Sequence, residues 1–289
     1  PNTDFIASGT GAVKIGDAQT GDVHVGAATL TAPLSVESGT KVDFTGGMLK
    51  NTGVHATSFK APTIDFSATQ TLDTGAGTLN LTADTISNWN NVTFAPTAGA
   101  GTLAVQKYAP GNFAVGGTSA FVSDAGFAKI AVGAFRNAAI GSADNAGTAT
   151  IDTITTLPSY TSILTNGALS VTGTVNGTVS DTLVLRGNGL TQSAPVKAGN
   201  LLLLGQGAMD FSTQPNEFTT IAADMSGGSL SLRNAHAMKV AKVVNRNDAD
   251  KEVEGLKTQS TKLKVDGGKL DLSGGIQSAN DTEITADDM

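Results

Sequence analysis

The chain has 289 residues, of which only 15% are charged and 5% aromatic, with 35 glycines, no cysteine and a formal net charge of −7. Without cysteine there are no disulfides, thiolate metal sites or cysteine nucleophiles, and an acidic chain with no basic stripe lacks the electrostatic footprint of a nucleic-acid binder. No apolar run reaches the roughly 18 residues of a membrane-spanning helix, and Val, Ile, Leu and Phe recur steadily enough to build a core, which argues against disorder.

The chain starts at Pro1 and ends at Met289, and it reads as a segment of a longer protein. The lack of a signal peptide therefore says nothing about export. From the first residues onward, apolar residues come in pairs spaced by two: Val13/Ile15, Val23/Val25, Leu34/Val36, Val42/Phe44, Ile64/Phe66, Leu79/Leu81 and Leu103/Val105. The same beat returns at Leu169/Val171, Leu183/Leu185, Leu230/Leu232, Leu263/Val265 and Leu270/Leu272. A spacing of two puts both side chains on one face of a strand. Turn signals such as Gly46-Gly47, Asn176-Gly177, Gly227-Gly228 and Gly267-Gly268 separate the pairs.

Strands this short and frequent suit a β-sandwich or a solenoid. A sandwich exhausts the pattern in about 100 residues, whereas here it runs through the whole chain with only 8 prolines and no hinge. The expected fold is all-β: one continuous right-handed parallel β-helix over residues 1–289, with tandem sandwiches as the alternative. It predicts on the order of 12 to 14 coils and a rod roughly 55–65 Å long. In the run Leu201 to Leu204, Leu201 and Leu203 should face one side and Leu202 and Leu204 the other.

Two stretches interrupt the pattern. Ser123 can cap a short helix with Asp124 at its positive end; a helix over about Ser123–Val132 should stand outside the coil and pack Phe127 and Ile130 onto it. The second interruption, Asn234 to Lys257, gathers Asp248, Asp250, Lys251, Glu252 and Glu254 and reads as a solvated loop.

Residues with catalytic potential are scattered. His24, His55 and His236 stand alone, with no HxH or HExxH spacing. There is no nucleophile-elbow GxSxG, and Asp17, Asp22, Asp43, Asp65, Asp73 and Asp84 occur singly beside turns. No calcium-binding nonapeptide repeat follows the GG pairs, and Gly99-Ala100-Gly101 reads as a turn rather than a phosphate loop. Asn88-Trp89-Asn90-Asn91 holds the single Trp, which could stack on a sugar ring but reads more simply as a packed coil corner. Tyr108 and Tyr160 read the same way. Catalytic, cofactor-binding and metal-binding residues are therefore assigned as none, no cofactor is called for, and the ligand-binding residues are left open.

From Leu79 onward a family resemblance appears. Leu79-Asn80-Leu81-Thr82-Ala83-Asp84-Thr85-Ile86 resembles the opening of a cassette in giant haemagglutinin-like exoproteins. The segments Ala139-Ile140-Gly141 through Gly147, Gly189-Leu190-Thr191-Gln192, Leu201 through Gly207, Asn216 through Ala223, and Ala235 through Val243 resemble its later steps, in order. The chain thus resembles the shaft of filamentous-haemagglutinin-like adhesins, over about residues 79–289. The resemblance implies a β-helical shaft, export through an outer-membrane two-partner secretion transporter, an extracellular or bacterial cell-surface location, and a role in attachment, biofilm cohesion and virulence. It also implies host-surface or matrix polysaccharide as a partner of some members. The family's amino-terminal secretion domain does not occur here.

The expected function is a structural shaft segment of a secreted adhesin, not an enzyme. A carbohydrate-binding module on a β-helical rod is the alternative, and a β-helical polysaccharide lyase or hydrolase the remote one.

Overall fold

The computed structural model describes the backbone of residues 5–7, and residues 11–118 and 120–289 in full. The chain winds as a parallel β-solenoid of about 12 turns, 56% strand and 5% helix. Leu34–Glu37, Lys41–Phe44 and Gly47–Asn51 make one three-sided turn. Thr57–Lys60, Thr63–Asp65 and Gln70–Gly75 make the next. Each strand pairs in parallel with its equivalent one turn away: Leu34 beside Thr57, Val36 beside Phe59, Phe59 beside Leu81, and Leu81 beside Val105. A regular turn is short. Thr182 lies beside Asn200, 18 positions on, and Thr78 beside Thr102, 24 positions on.

The alternation read from the sequence decides what fills the tube. Strand Gln70–Gly75 alternates buried and partly exposed residues throughout, and so does Thr78–Thr82, which buries Leu79 and Leu81 completely. One hydrophobic cluster results, running without a break from Leu30 to Leu270. In its first part an aromatic column threads the interior. Phe44 stacks on Phe66 at 4.9 Å, Phe66 meets Trp89 at 6.0 Å, Trp89 meets Phe94 at 6.4 Å, and Phe94 meets Phe135 at 5.5 Å.

Where the chain must turn inside the coil, buried amides replace apolar residues. Asn216 donates to the carbonyls of Phe211, Gln214 and Arg233 and exchanges hydrogen bonds with Gln192. Asn234, one turn on, accepts from Phe218 N and donates to the carbonyls of Phe218 and His236. These amides satisfy backbone groups that the corner takes out of the ladder. Strands Thr182–Gln192 and Val196–Met225 carry their pairing around such corners. Gly205 makes one bend possible: its φ is +118°, and a Cβ there would lie 2.2 Å from Gly187 O.

The helix spans Asp124–Gly133, with Ser123 accepting from Gly126 N at 3.3 Å as its cap. Phe127 and Ile130 are fully buried and belong to the main cluster. The helix is therefore joined to the core rather than laid on the outside of a finished coil. It packs against Val92–Pro96, the end strand of a five-stranded sheet.

The second interruption differs from the expected solvated loop. Met238–Val240 is a strand of the solenoid. Lys242–Asn245 and Lys251–Glu254 then form an antiparallel hairpin, the one antiparallel pair among the described strands. The charges that suggested a loop lie on its outer face and tip, while Val243 and Val253 point inward and are buried. Period-two alternation was present, but the run of charged residues masked it.

The leucine run divides as the strand period requires. Leu201 and Leu203 are buried in the main cluster; Leu202 is buried in a second one, beneath the hairpin, with Leu204 at its edge. Leu203→Ala should lower the unfolding free energy by about 2–5 kcal/mol, and Leu204→Ala by less than about 1 kcal/mol, as read from denaturant midpoints. Equal costs at the two positions would contradict this division.

Candidate functional site: a polar cleft beside a hairpin strap

Outward-facing positions of successive turns line up in columns along the rod. One column runs Ala139, Ser162, Val184, Leu202. Its apolar members, with Tyr160 and Ala222, are covered by Val243 and Val253 of the hairpin. The hairpin base is closed at Gly255 N, which donates to Ala241 O at 3.3 Å. From there the hairpin runs back toward earlier turns as a strap.

Its tip is held by a dense polar contact. The Tyr160 hydroxyl donates to Val244 O at 2.6 Å and accepts from Arg246 N at 2.8 Å. Burial pushes the Tyr160 phenol above its ordinary range, against the pull of Arg246, so it stays protonated and keeps this donor. The Arg246 guanidinium sits 4.7 Å from the Tyr160 ring and donates to Arg136 O. Asn247 accepts from Asn137 Nδ2 at 2.8 Å and donates to Ser162 Oγ at 2.7 Å. Arg136 pairs with Asp250.

Beside the strap lies a cleft of about 400 Å³. Its floor is built from two columns: Arg186 beside Leu204 on the strand, and Asn188 beside Gln206 at the corner. Asn166, Asp224 and Ser226 extend it, and Asn245, Asp248, Lys251 and Val253 form the strap-side wall. The cleft presents polar groups without partners of their own. Arg136, Arg233 and Arg246 are engaged, with Asp250, Asp266 and Arg136 O respectively; Arg186 has no such partner. Among the described residues, the side chains of Asn166, Asn188, Gln206 and Asp224 also have no hydrogen-bond partner. Amides, a guanidinium and a carboxylate together both donate to and accept from a polyhydroxylated ligand.

None of these residues was assigned from the sequence. A signal was present: Arg186-Gly187-Asn188-Gly189 and Leu204-Gly205-Gln206-Gly207 repeat a glycine–amide–glycine step one turn apart. It passed as turn grammar because the partner one turn away is visible only once coil length is known.

Of the residues weighed from the sequence, Asp248 and Lys251 line the cleft and Tyr160 anchors the strap tip; the others lie elsewhere. Trp89 is 4% exposed, packed between Phe66 and Phe94 and against Gly126 of the helix, so its ring offers no stacking platform to a sugar. His24 meets Asp43, Nδ1 to Oδ2 at 3.0 Å, with Lys41 at 3.7 Å. Burial pushes the Asp43 carboxyl up, but a Ser67 hydrogen bond and the charges of Lys41 and His24 outweigh it and hold the group below its ordinary value. Asp84, likewise raised by burial, is brought below its ordinary value by Lys107 and Ala109 N. These acids are ion-pair partners spaced along the rod. Among the described residues no group of three or more His, Asp or Glu side chains is placed to hold a metal ion, and no helix is long and apolar enough to cross a membrane.

No family model, curated protein or solved structure matches the chain. The family resemblance accordingly rests on the motifs from Leu79 onward.

Proposed function

We propose that this chain is a segment of the shaft of a secreted bacterial surface adhesin. In this reading it is a spacer that holds a binding region away from the cell, and not an enzyme. The observation that carries the proposal is the single core running from Leu30 to Leu270 through stacked parallel turns. Such a body lengthens by about 4.8 Å per turn at nearly constant cross-section, which suits a spacer. The ordered motifs between Leu79 and Val243 support the adhesin class and, with it, export through an outer-membrane two-partner secretion transporter. An epitope tag placed in this segment of the native protein should be open to antibody and protease on intact cells. The signal should vanish when the transporter is inactivated, and surface attachment should fall with it. A tag protected inside intact cells would contradict the proposal.

The cleft favours a second role on the same rod, contact with carbohydrate. Its unpartnered amides, Arg186 and Asp224 complement hydroxyl and carboxylate groups. Asp224, Asp248 and the net charge of −7 disfavour a polyphosphate. An extended peptide would need a free strand edge, and the floor strand that carries Arg186 is paired on both sides. Screened against immobilised neutral and uronic-acid oligosaccharides, the chain should retain at least one. Arg186→Ala combined with Gln206→Ala should weaken that binding roughly tenfold or more. Equal retention by chain and variant, or retention of none, would remove this role and leave the spacer reading standing.

A further inference from the structure

A solenoid is close to one-dimensional: each turn touches only its neighbours, so its stability is a sum of nearest-neighbour terms and its turns can open in sequence. The ladder contacts of this chain obey that rule, joining residues one turn away, from 18 positions apart at Thr182–Asn200 to 36 at Phe113–Ala149, where the helix lengthens the turn. The strap breaks it. Tyr160 and Val244 are 84 positions apart, Ser162 and Asn247 are 85, Asn137 and Asn247 are 110, and Arg136 and Asp250 are 114. We infer that the Lys242–Glu254 hairpin is a clip that ties the turns between Asn137 and Leu256 into one cooperative block, distinct from the unclipped turns before it.

The reach of the hairpin fits this role. It leaves the coil after Ala241 and touches Asn137 through Asn247. The turns between begin near Asn137, Tyr160, Thr182, Asn200, Ile221 and Leu256. Five spacings of about 4.8 Å make roughly 24 Å. The four extended residues Lys242–Asn245 cover roughly 13 Å of it at about 3.3 Å each, and the turn at 246–250 with the side chains of Tyr160, Asn247 and Asn137 bridges the rest. Along its length the hairpin buries Val243 and Val253 against Val184, Leu202 and Ala222; at its end it fastens to Arg136, Asn137, Tyr160 and Ser162. A clip needs a grip at both ends, and both are present: the closed base at Ala241–Gly255 and the polar tip. At the tip Ala249 and Asp250 take positive φ of 46° and 60°, a conformation side chains rarely adopt, and Asp250 there reaches Arg136.

The consequence is directional. For the clipped turns, opening any one strains or releases the strap over all of them. The earlier turns, such as Leu34–Glu37, Thr57–Lys60 and Thr78–Thr82, have only nearest-neighbour ladders. In a shaft under tension the clipped block would yield as a unit. The inference adds to the spacer reading but does not depend on where the protein is located, because its test uses the isolated chain.

The test is native-state amide hydrogen exchange at low denaturant on the full 289-residue chain, comparing it with Tyr160→Phe combined with Arg136→Ala. In the unaltered chain, amides of 138–140, 161–163, 183–185 and 201–203 should exchange through one shared opening. In the variant these amides should exchange on the order of tenfold faster and no longer together, while amides of 34–37, 57–60 and 79–82 keep their rates. Those unclipped turns report in the same molecule that the variant has folded. A second variant excises 242–254 and joins Ala241 to Gly255 through one added glycine; it should abolish the shared opening entirely. Unchanged exchange in both variants, or acceleration spread evenly over clipped and unclipped turns, would overturn the inference.

Discussion

The parallel backbone ladder between turns is the constraint on which the rest of the structure depends. Each strand of a single turn is too short to stand alone, and each has a row of N–H and C=O groups that must find partners. Stacking one turn on the next supplies those partners and, in the same step, brings like side chains into register. Val36 then lies on Phe59, Phe59 on Leu81, and Leu81 on Val105. The core is thus a by-product of the ladder. A substitution at one inward position is felt by the turns above and below it, and a charge at one outward position acquires a neighbour of known spacing. The pairs Lys197–Glu217 and Lys262–Glu283 are cross-turn contacts of this kind, exposed and worth little individually.

Much of this was legible in the sequence because the side-chain period of a strand is two, and inward pairs such as Leu79/Leu81 and Leu183/Leu185 declare it without further information. The cap at Ser123 announced the helix for an equally local reason: a hydroxyl three residues before Gly126 N. What the sequence did not reveal depends on residues a turn or more apart. The hairpin was hidden because Glu252 and Glu254 alternate with Val253, and a run of acids resembles a loop unless one knows that Leu202 and Val184 lie beneath. The cleft was hidden because Arg186 and Gln206 become neighbours only through a turn length that varies along the chain. Trp89 drew attention by its rarity, and its flanking asparagines suggested a binding surface, yet the aromatic column needed it inside.

The two interruptions serve different ends. The helix packs against the end strand of one sheet and adds Phe127 and Ile130 to the same core, so winding resumes beyond it with the first side intact, Thr102 paired with Asn137. The hairpin adds nothing to the main core. It covers a second, outer cluster and, in doing so, raises a wall beside an otherwise flat face. Cleft and clip therefore have one origin: apolar residues at Val184 and Leu202 where a solvent-facing column would otherwise be polar. Outward columns are free to vary without disturbing the ladder, which is why a new feature can arise there in a fold whose interior is tightly prescribed.

The central claim is that the turns stack in one continuous column, and the distance between its ends tests it most directly. The chain has no cysteine, so Lys14→Cys and Gln277→Cys, both exposed and on the same side of the solenoid at opposite ends, can carry a single pair of spin labels. Separated by nearly the whole stack of about 12 turns, the labels should show one distance distribution centred at roughly 50–55 Å. A distribution centred below about 35 Å, or one spread without a peak as for domains joined by a linker, would contradict the continuous solenoid.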